Sequence, residues 1–182
     1  MKLYGWLLDI KRCIECRACE AACKQWNGVE IGVGVRRRQV RVKEYGVFPA
    51  VRQQAVSGAC NHCDNAWCMK VCPVKAIYRG SNGEVLIDQD ACVGCQQCKS
   101  FCPYGAPQFN TRIKKMDKCT MCPDRVEAGL EPACVTLCPT DALQWGPWEE
   151  IQKQGVAAID GFANPKQTWP RVRFINEGYK AQ

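Results

Sequence analysis

Histidine is almost missing from this chain, with His62 alone among 182 residues. Acid–base catalysis of the kind that recruits imidazole therefore has little to work with. Long apolar runs are missing too: no stretch approaches the roughly 18 residues of a spanning helix, so no direct membrane span is expected and any membrane link must come through another subunit. Neither a G-x-x-x-x-G-K-[ST] phosphate loop nor a G-x-G-x-x-G dinucleotide fingerprint occurs, and Gly32-Val33-Gly34 lacks the rest of the second pattern. The C-x3-C-x2-C spacing of radical enzymes that use adenosylmethionine is absent as well. Residues 1–20 show no charged n-region, apolar h-region and small-residue cleavage site, because Asp9, Lys11 and Arg12 interrupt the apolar candidate at residues 3–8. Met1 is the expected mature start and the cytoplasm the expected location, with co-export on a partner's signal as the alternative. No catalytic residues, and no substrate chemistry on this chain alone, are expected.

What the chain has instead is cysteine. Its sixteen cysteines fall without remainder into four runs: Cys13, Cys16, Cys19, Cys23; Cys60, Cys63, Cys68, Cys72; Cys92, Cys95, Cys98, Cys102; and Cys119, Cys122, Cys134, Cys138. The first and third have the C-x2-C-x2-C-x3-C spacing that wraps a [4Fe-4S] cubane. An even count also suits a disulfide scaffold, but such scaffolds belong to small secreted chains. Structural zinc uses C-x2-C pairs too, yet a tetrahedral ion wants two separated pairs, whereas Cys13, Cys16 and Cys19 put three thiolates within seven residues. Iron–sulfur ligation fits best, and four [4Fe-4S] clusters, hence electron transfer, are expected. A zinc-stapled interaction module is the non-redox alternative; colour separates them, since iron–sulfur protein is brown and zinc protein colourless.

In two-cluster ferredoxin motifs the fourth cysteine of each run ligates the partner cluster, which ties two runs into one module. Runs two and three are separated only by residues 73–91, which read as a strand at 76–79, a turn at Ser81-Asn82-Gly83 and a strand at 85–88. They form an inner module inserted between runs one and four, which form an outer one. The expected ligand sets are Cys13, Cys16, Cys19 with Cys138 (cluster A); Cys23 with Cys119, Cys122, Cys134 (cluster B); Cys60, Cys63, Cys68 with Cys102 (cluster C); and Cys72 with Cys92, Cys95, Cys98 (cluster D). His62, between two of these cysteines, reads as a loop residue near a cluster rather than an iron ligand.

Internal repeats support this division. Cys72-Pro73-Val74-Lys75-Ala76-Ile77, Cys102-Pro103-Tyr104-Gly105-Ala106-Pro107 and Cys138-Pro139-Thr140-Asp141-Ala142-Leu143 are one phrase used three times. Proline biases the preceding cysteine away from helical geometry and turns the chain outward. Cys23 is followed by Lys24 instead, so the first run is expected to continue as a helix through Trp26 and break at Asn27-Gly28. An aspartate stands four residues before the first cysteine of runs one and three, after Leu7-Leu8 and Leu86-Ile87, which reads as a strand feeding a ligand loop. The expected class is α+β: two fused ferredoxin-like modules of short strands, short ligand helices and many loops. Residues 1–27 plus 103–147 form the outer module, 57–102 the inner one, 28–56 a connecting insertion with strands at 40–44 and 51–56, and 148–182 a C-terminal arm. Pro147 is placed to start a short helix carrying Glu149 and Glu150, while Gly155, Gly161, Asn164-Pro165 and Trp169-Pro170 oppose regular structure over most of the remainder. Phe162, Trp169 and Phe174 need burial, which such an arm more often finds on its own domain than on a partner.

The formal charge is +7, which invites a nucleic-acid reading but counts every thiol as neutral. Four cluster sites at roughly −2 each would bring the total to about −1, so the cations are mostly internal compensation and no nucleic-acid partner is expected. Arg12, Arg17, Lys70, Lys99 and Lys118, near the ligand loops, either tune reduction potentials or are ordinary solvated charges. Arg36-Arg37-Arg38 with Arg41 and Lys43 alternates with Val40 and Val42, the pattern of a half-buried strand whose basic face is solvated or docks an acidic partner.

Taken with Cys60-Asn61-His62-Cys63, the phrase from Cys102 to Phe109, and the Cys19 to Asn27 stretch without the usual proline, the arrangement resembles the four-cluster iron–sulfur subunits of molybdenum and tungsten bis-pterin oxidoreductases. These include dimethyl sulfoxide, polysulfide and formate enzymes and tungsten aldehyde oxidoreductases. The resemblance covers residues 3–147. It implies a pseudo-symmetric double-ferredoxin fold and a line of clusters conducting electrons between a molybdenum- or tungsten-pterin catalytic subunit and a second redox subunit, a membrane anchor or a soluble flavoprotein. Some relatives replace one cysteine of the third run and hold [3Fe-4S] there; Cys92, Cys95 and Cys98 are all present here. A free or self-associating polyferredoxin is the alternative. Such a carrier needs neither the arm nor the basic strand, so deletion of residues 155–182 should leave its activity intact. Modules this small depend on metal for folding free energy. Stripping the iron with acid and chelator is expected to unfold most of the chain, and a well-dispersed NMR spectrum of the metal-free protein would refute this.

Overall fold

In the computed structural model, residues 2–32 and 34–176 are described. Met1, Val33 of the Gly32-Val33-Gly34 sequence and residues 177–182 of the arm lie outside the described residues. The class is α+β, with short elements between long loops. In chain order these are β1 (Tyr4–Asp9), α1 (Ala18–Trp26), β2 (Arg38–Tyr45), β3 (Arg52–Ala59), α2 (Trp67–Lys70), β4 (Ile77–Arg79), β5 (Val85–Ile87), α3 (Gln97–Ser100), β6 (Gln108–Asn110), β7 (Lys115–Asp117), α4 (Pro123–Glu127), α5 (Ala133–Thr136), β8 (Leu143–Pro147), α6 (Trp148–Ile151) and β9 (Val172–Ile175).

A three-stranded sheet organises one end. Its central strand, β1, pairs antiparallel with β8, setting Trp6 opposite Trp145, and parallel with β9, setting Trp6 opposite Val172. Trp6, Leu7 and Leu8 are all buried, so β1 is covered on both faces and reads as a continuous apolar run rather than an alternating one. Tyr4 stacks on Trp145 at 4.3 Å between ring centroids, and α6, started after Pro147 as expected, lies close enough that a Cβ on Gly5 would meet Trp148 at 2.6 Å. Three two-stranded hairpins complete the sheets: β2–β3, β4–β5 and β6–β7. The first carries Val47 and Phe48 exposed at its tip. The third was not foreseen; it contributes Met116 and Phe109 to a second core with Ala66, Ala76, Ile77 and Val85, apart from the larger core around Trp6, Leu8, Val40, Leu143 and Phe174.

The repeated phrases are repeated conformations. Asp9 Oδ1 accepts from the backbone N–H groups of Lys11 and Arg12, and Asp88 Oδ1 from those of Asp90 and Ala91, so the same side-chain turn ends β1 and β5 and opens the ligand loops. Asn110 repeats it towards Arg112 and Ile113. Three residues after each proline-linked cysteine the backbone is left-handed, at Lys75 (φ 53°), Gly105 (φ 64°) and Asp141 (φ 52°). Glu15 and Arg17 flank Cys16 with φ 59° and 57°, as Gly94 and Gln96 flank Cys95 with φ 68° and 64°. Each non-glycine residue held there costs on the order of 1–2 kcal/mol, and Gly94 has no alternative because a Cβ would sit 2.2 Å from the Lys114 carbonyl.

The arm straps onto its own domain, as expected, and does so through regular structure at its far end: β9 is a strand of the main sheet and Phe174 is 1% exposed. Phe162 stacks on Tyr104, and of Phe162, Trp169 and Phe174 it is Trp169 that stays exposed, at 63%. Deleting residues 155–182 would therefore remove part of the sheet and could not isolate a docking role. The basic run 36–43 is the half-buried strand expected, with Arg36, Arg41 and Lys43 exposed, but its cations have partners within the chain. Arg38 is buried, Arg37 pairs with Asp117 at 2.9 Å, Arg36 reaches Glu20, Arg41 donates to the Tyr104 carbonyl and Lys43 binds Asp160. Strand alternation gave their direction but not the loops folded over them.

Arg171 clamps the arm. Fully buried, its guanidinium donates to the carbonyls of His62 at 2.8 Å, Tyr4 at 3.2 Å and Gly83, joining the arm to β1, the second cysteine run and the β4–β5 turn. Hydrogen bonds from a charged donor are worth about 1.5–3 kcal/mol each. Arg171→Ala is expected to lower holoprotein stability by about 3 kcal/mol or more in chemical denaturation, while Lys166→Ala, on the exposed turn, should change it by less than about 0.5 kcal/mol. Equal stability of the two variants would contradict the clamp.

Candidate metal centres

The sixteen cysteines are free thiols gathered into compact groups. One cavity is lined by Cys13, Cys16, Cys19 and Cys138 together with Leu8, Ile10, Val40 and Leu143. A second is lined by Cys60, Cys63, Cys68 and Cys102 with Ala66, Val85 and Ala106. A third is lined by Cys72, Cys92, Cys95 and Cys98 with Ala76, Ile77, Ile87 and Met116. Each thus joins thiols of two runs inside an apolar wall. The remaining four also meet: Cys23 is acted on by Cys134 and Cys122, Cys119 by Cys23 and Cys134, and Asn27 Nδ2 lies 3.9 Å from Cys23 Sγ and 3.8 Å from Cys122 Sγ.

Local geometry explains the convergence. In runs one and three the second cysteine sits on a loop with left-handed residues on both sides, and the third lies in α1 or α3. Such alternation turns successive N–H groups inward, a concavity suited to an anionic group. Donors to sulfur are in place: Ala106 N–H donates to Cys102 Sγ and Met121 N–H to Cys119 Sγ, each at 3.4 Å, and Ser57 Oγ lies 3.2 Å from Cys19 Sγ. Thr168, from the arm, lines the second cavity and bonds to both Cys63 and the Tyr104 hydroxyl.

Burial dominates the electrostatics. It pushes the thiols of Cys23, Cys63 and Cys68 up to about 12 and Cys98 to about 11, and raises Cys13, Cys102, Cys119 and Cys134, with neighbouring thiols adding to the effect. Four thiolates cannot share such a cavity without a compact positive charge between them. Among the described residues no three or more His, Cys, Asp or Glu side chains close on a point that one ion could occupy. The all-sulfur donor sets would suit four-iron cores, which take thiolate ligands.

His62 is buried and outside the donor sets. Its Nδ1 accepts the Val85 N–H at 2.9 Å, and burial, followed by the charges of Lys118 and Arg171, holds its pKa well below the usual histidine value. It is a loop residue, as expected, and its burial keeps it uncharged. Of the five cations singled out near the ligand loops, Lys118 is the buried one; it donates to the Val85 and Cys119 carbonyls and lowers the Cys68 thiol. Sequence reasoning missed Ser57, Thr168 and Asn27. Only Asn27, four residues after Cys23 and capping a helix that runs past its cysteine, left a signal.

Residues 51–147 match the family described as the 4Fe-4S dicluster domain, and residues 10–26 a 4Fe-4S binding domain. The probable anaerobic dimethyl sulfoxide reductase chain YnfG of Escherichia coli (strain K12) is 42% identical over 181 residues, covering 93% of this chain and 86% of that relative. The B subunit of anaerobic dimethyl sulfoxide reductase from the same organism is 40% identical with the same coverage. The protein belongs to this family of iron–sulfur subunits. The thiosulfate reductase electron transfer subunit PhsB of Salmonella typhi, 43% identical over 152 residues with 83% and 79% coverage, is similar in the same way. The subunit is thus an iron–sulfur electron-transfer protein of the oxidoreductase type, and no helix among its described residues is long and apolar enough to cross a membrane.

Because iron binds thiolate while burial favours thiol, assembly must release protons. Acid shifts the balance towards the thiol. Iron retained against a fixed chelator concentration is therefore expected to fall as pH is lowered from about 8 to about 6, followed by visible absorbance; retention independent of pH would contradict this electrostatic reading.

Proposed function

We propose that this subunit holds four [4Fe-4S] clusters and relays electrons between a molybdenum- or tungsten-pterin catalytic subunit and a second redox subunit. The observation that carries the reading is the sharing of each cavity by cysteines of two runs. In the proposed assignment Cys13, Cys16, Cys19 and Cys138 hold cluster A; Cys23, Cys119, Cys122 and Cys134 cluster B; Cys60, Cys63, Cys68 and Cys102 cluster C; and Cys72, Cys92, Cys95 and Cys98 cluster D. The β1–β8 pairing supports an outer module of residues 1–27 and 103–147, and the β4–β5 hairpin an inner one of 57–102. When bound, the clusters supply one-electron chemistry; the protein's part is to space them, exclude water and set their potentials.

Contacts between neighbouring groups support an order. Cys68 feels Cys98, Cys119 feels Cys60, and Cys134 feels Cys19, so the sequence of sites runs D, C, B, A. The exposed ligands, Cys16 and Cys95, fall at the two ends of that line. Electrons would enter and leave there, each end facing one partner. Such partners are in keeping with relatives named as chains of dimethyl sulfoxide reductase and an electron transfer subunit of thiosulfate reductase.

Cys23→Ser tests the assignment directly. Cluster B, held mostly by run-four cysteines, should be lost or converted to [3Fe-4S], with the other three sites intact by EPR. Loss of cluster A instead, the one held by Cys13, Cys16 and Cys19, would sink the crossed assignment.

A further inference from the structure

Arg38 is a buried cation with no carboxylate partner among the described residues. It opens β2 opposite Ala59, next to Cys60, and its side chain turns inward to lie over Trp6, with Cζ 4.5 Å from the ring centroid. It is 2% exposed. Its neighbours in sequence are neutralised conventionally, Arg37 by Asp117 and Arg36 by Glu20. Arg38 is not. Nη1 donates to the Ser57 carbonyl at 2.9 Å and to Ser57 Oγ at 3.2 Å, while Nε and Nη2 meet no oxygen or nitrogen acceptor. An isolated buried guanidinium is strongly disfavoured, so a counter-charge is required.

The sulfur atoms around it meet that requirement. Cys134, Cys119 and Cys23 of one group and Cys19 of the other all lie within electrostatic reach of the guanidinium, Cys134 near enough to hydrogen-bond with it. Arg38 lowers the thiols of Cys23, Cys119 and Cys134 in return. Towards Cys19 there is also a relay, because the Ser57 hydroxyl that accepts from Nη1 lies 3.2 Å from Cys19 Sγ. One fixed positive charge therefore touches two adjacent cysteine groups.

We propose that Arg38 is the shared counter-charge of clusters A and B, and that it raises the reduction potential of both. This rests on the four-cluster reading above. Each one-electron reduction takes a site from about −2 to about −3 with no bond made or broken, and a fixed cation favours the more negative state. The effect should be larger at cluster B, where three ligand cysteines lie near the guanidinium, than at cluster A, reached through Ser57.

The test is an anaerobic potentiometric titration of the holoprotein with dithionite as reductant, read by EPR, for wild type, Arg38→Gln, Arg38→Lys, Ser57→Ala and Arg112→Gln. Arg112, exposed and paired with Glu30, controls for a generic change of charge. Arg38→Gln should lower the cluster B potential by at least 59 mV, a tenfold change in a one-electron equilibrium. Cluster A should fall by less, clusters C and D should stay in place, and Arg38→Lys should restore part of the loss. Unmoved potentials in an Arg38→Gln protein with full iron, or equal shifts at all four sites, overturn the inference. If Arg38→Gln fails to retain iron, Ser57→Ala and Arg38→Lys decide: a lowered cluster A alone in the first and a partial cluster B shift in the second support the role, and wild-type potentials in both overturn it. A wild type without four clusters overturns the functional reading together with this inference, whereas four clusters with unmoved variants overturn the inference alone.

Discussion

Thiolates that cannot exist in their cavities without iron are the constraint on which the structure depends. Burial drives the thiols of Cys23, Cys63 and Cys68 to about 12, so metal-free sites hold protonated sulfur with little to bind the loops together. In the proposed assignment a bound core would replace the protons, neutralise the sulfur and cross-link two distant segments. That is why a chain whose sheets consist of one three-stranded sheet and three hairpins can be ordered at all: its short α2, α3 and α5 helices carry ligands rather than span a core.

Part of the positive charge lies inside the protein. Arg38 lies among the sulfurs of two sites, Lys118 acts on Cys68, and Arg171 fastens the arm to the second run. Placed inside, these charges bear on reduction potential and stability, and their removal should be felt at particular clusters rather than as a general loss of solubility.

Ligand geometry was legible because it is local. Three cysteines within seven residues, a proline after the fourth and an aspartate before the first each act within one loop, and the Asp9 and Asp88 turns and the left-handed residues at 75, 105 and 141 follow from that repeated chemistry. The hairpins at β2–β3 and β4–β5 were legible from turn residues and alternation. Long-range closure was not. β9 pairs with a strand more than 160 residues earlier, and nothing in the sequence from Val172 to Ile175 specifies β1 as its partner. Arg38, Ser57 and Thr168 owe their roles to what folds over them, and the Arg36–Lys43 alternation carried direction without naming a neighbour. The β6–β7 hairpin was hidden by polar residues on both strands.

Metal content decides the central claim. The subunit should be purified anaerobically from its native host with whatever remains bound, and iron, sulfide, zinc, molybdenum and tungsten measured per mole of this chain. The account predicts about sixteen irons on this subunit, beyond any assigned to partners, with molybdenum or tungsten in the same complex. Zinc in place of iron, or a full iron complement on a chain that carries neither metal with it, would contradict it.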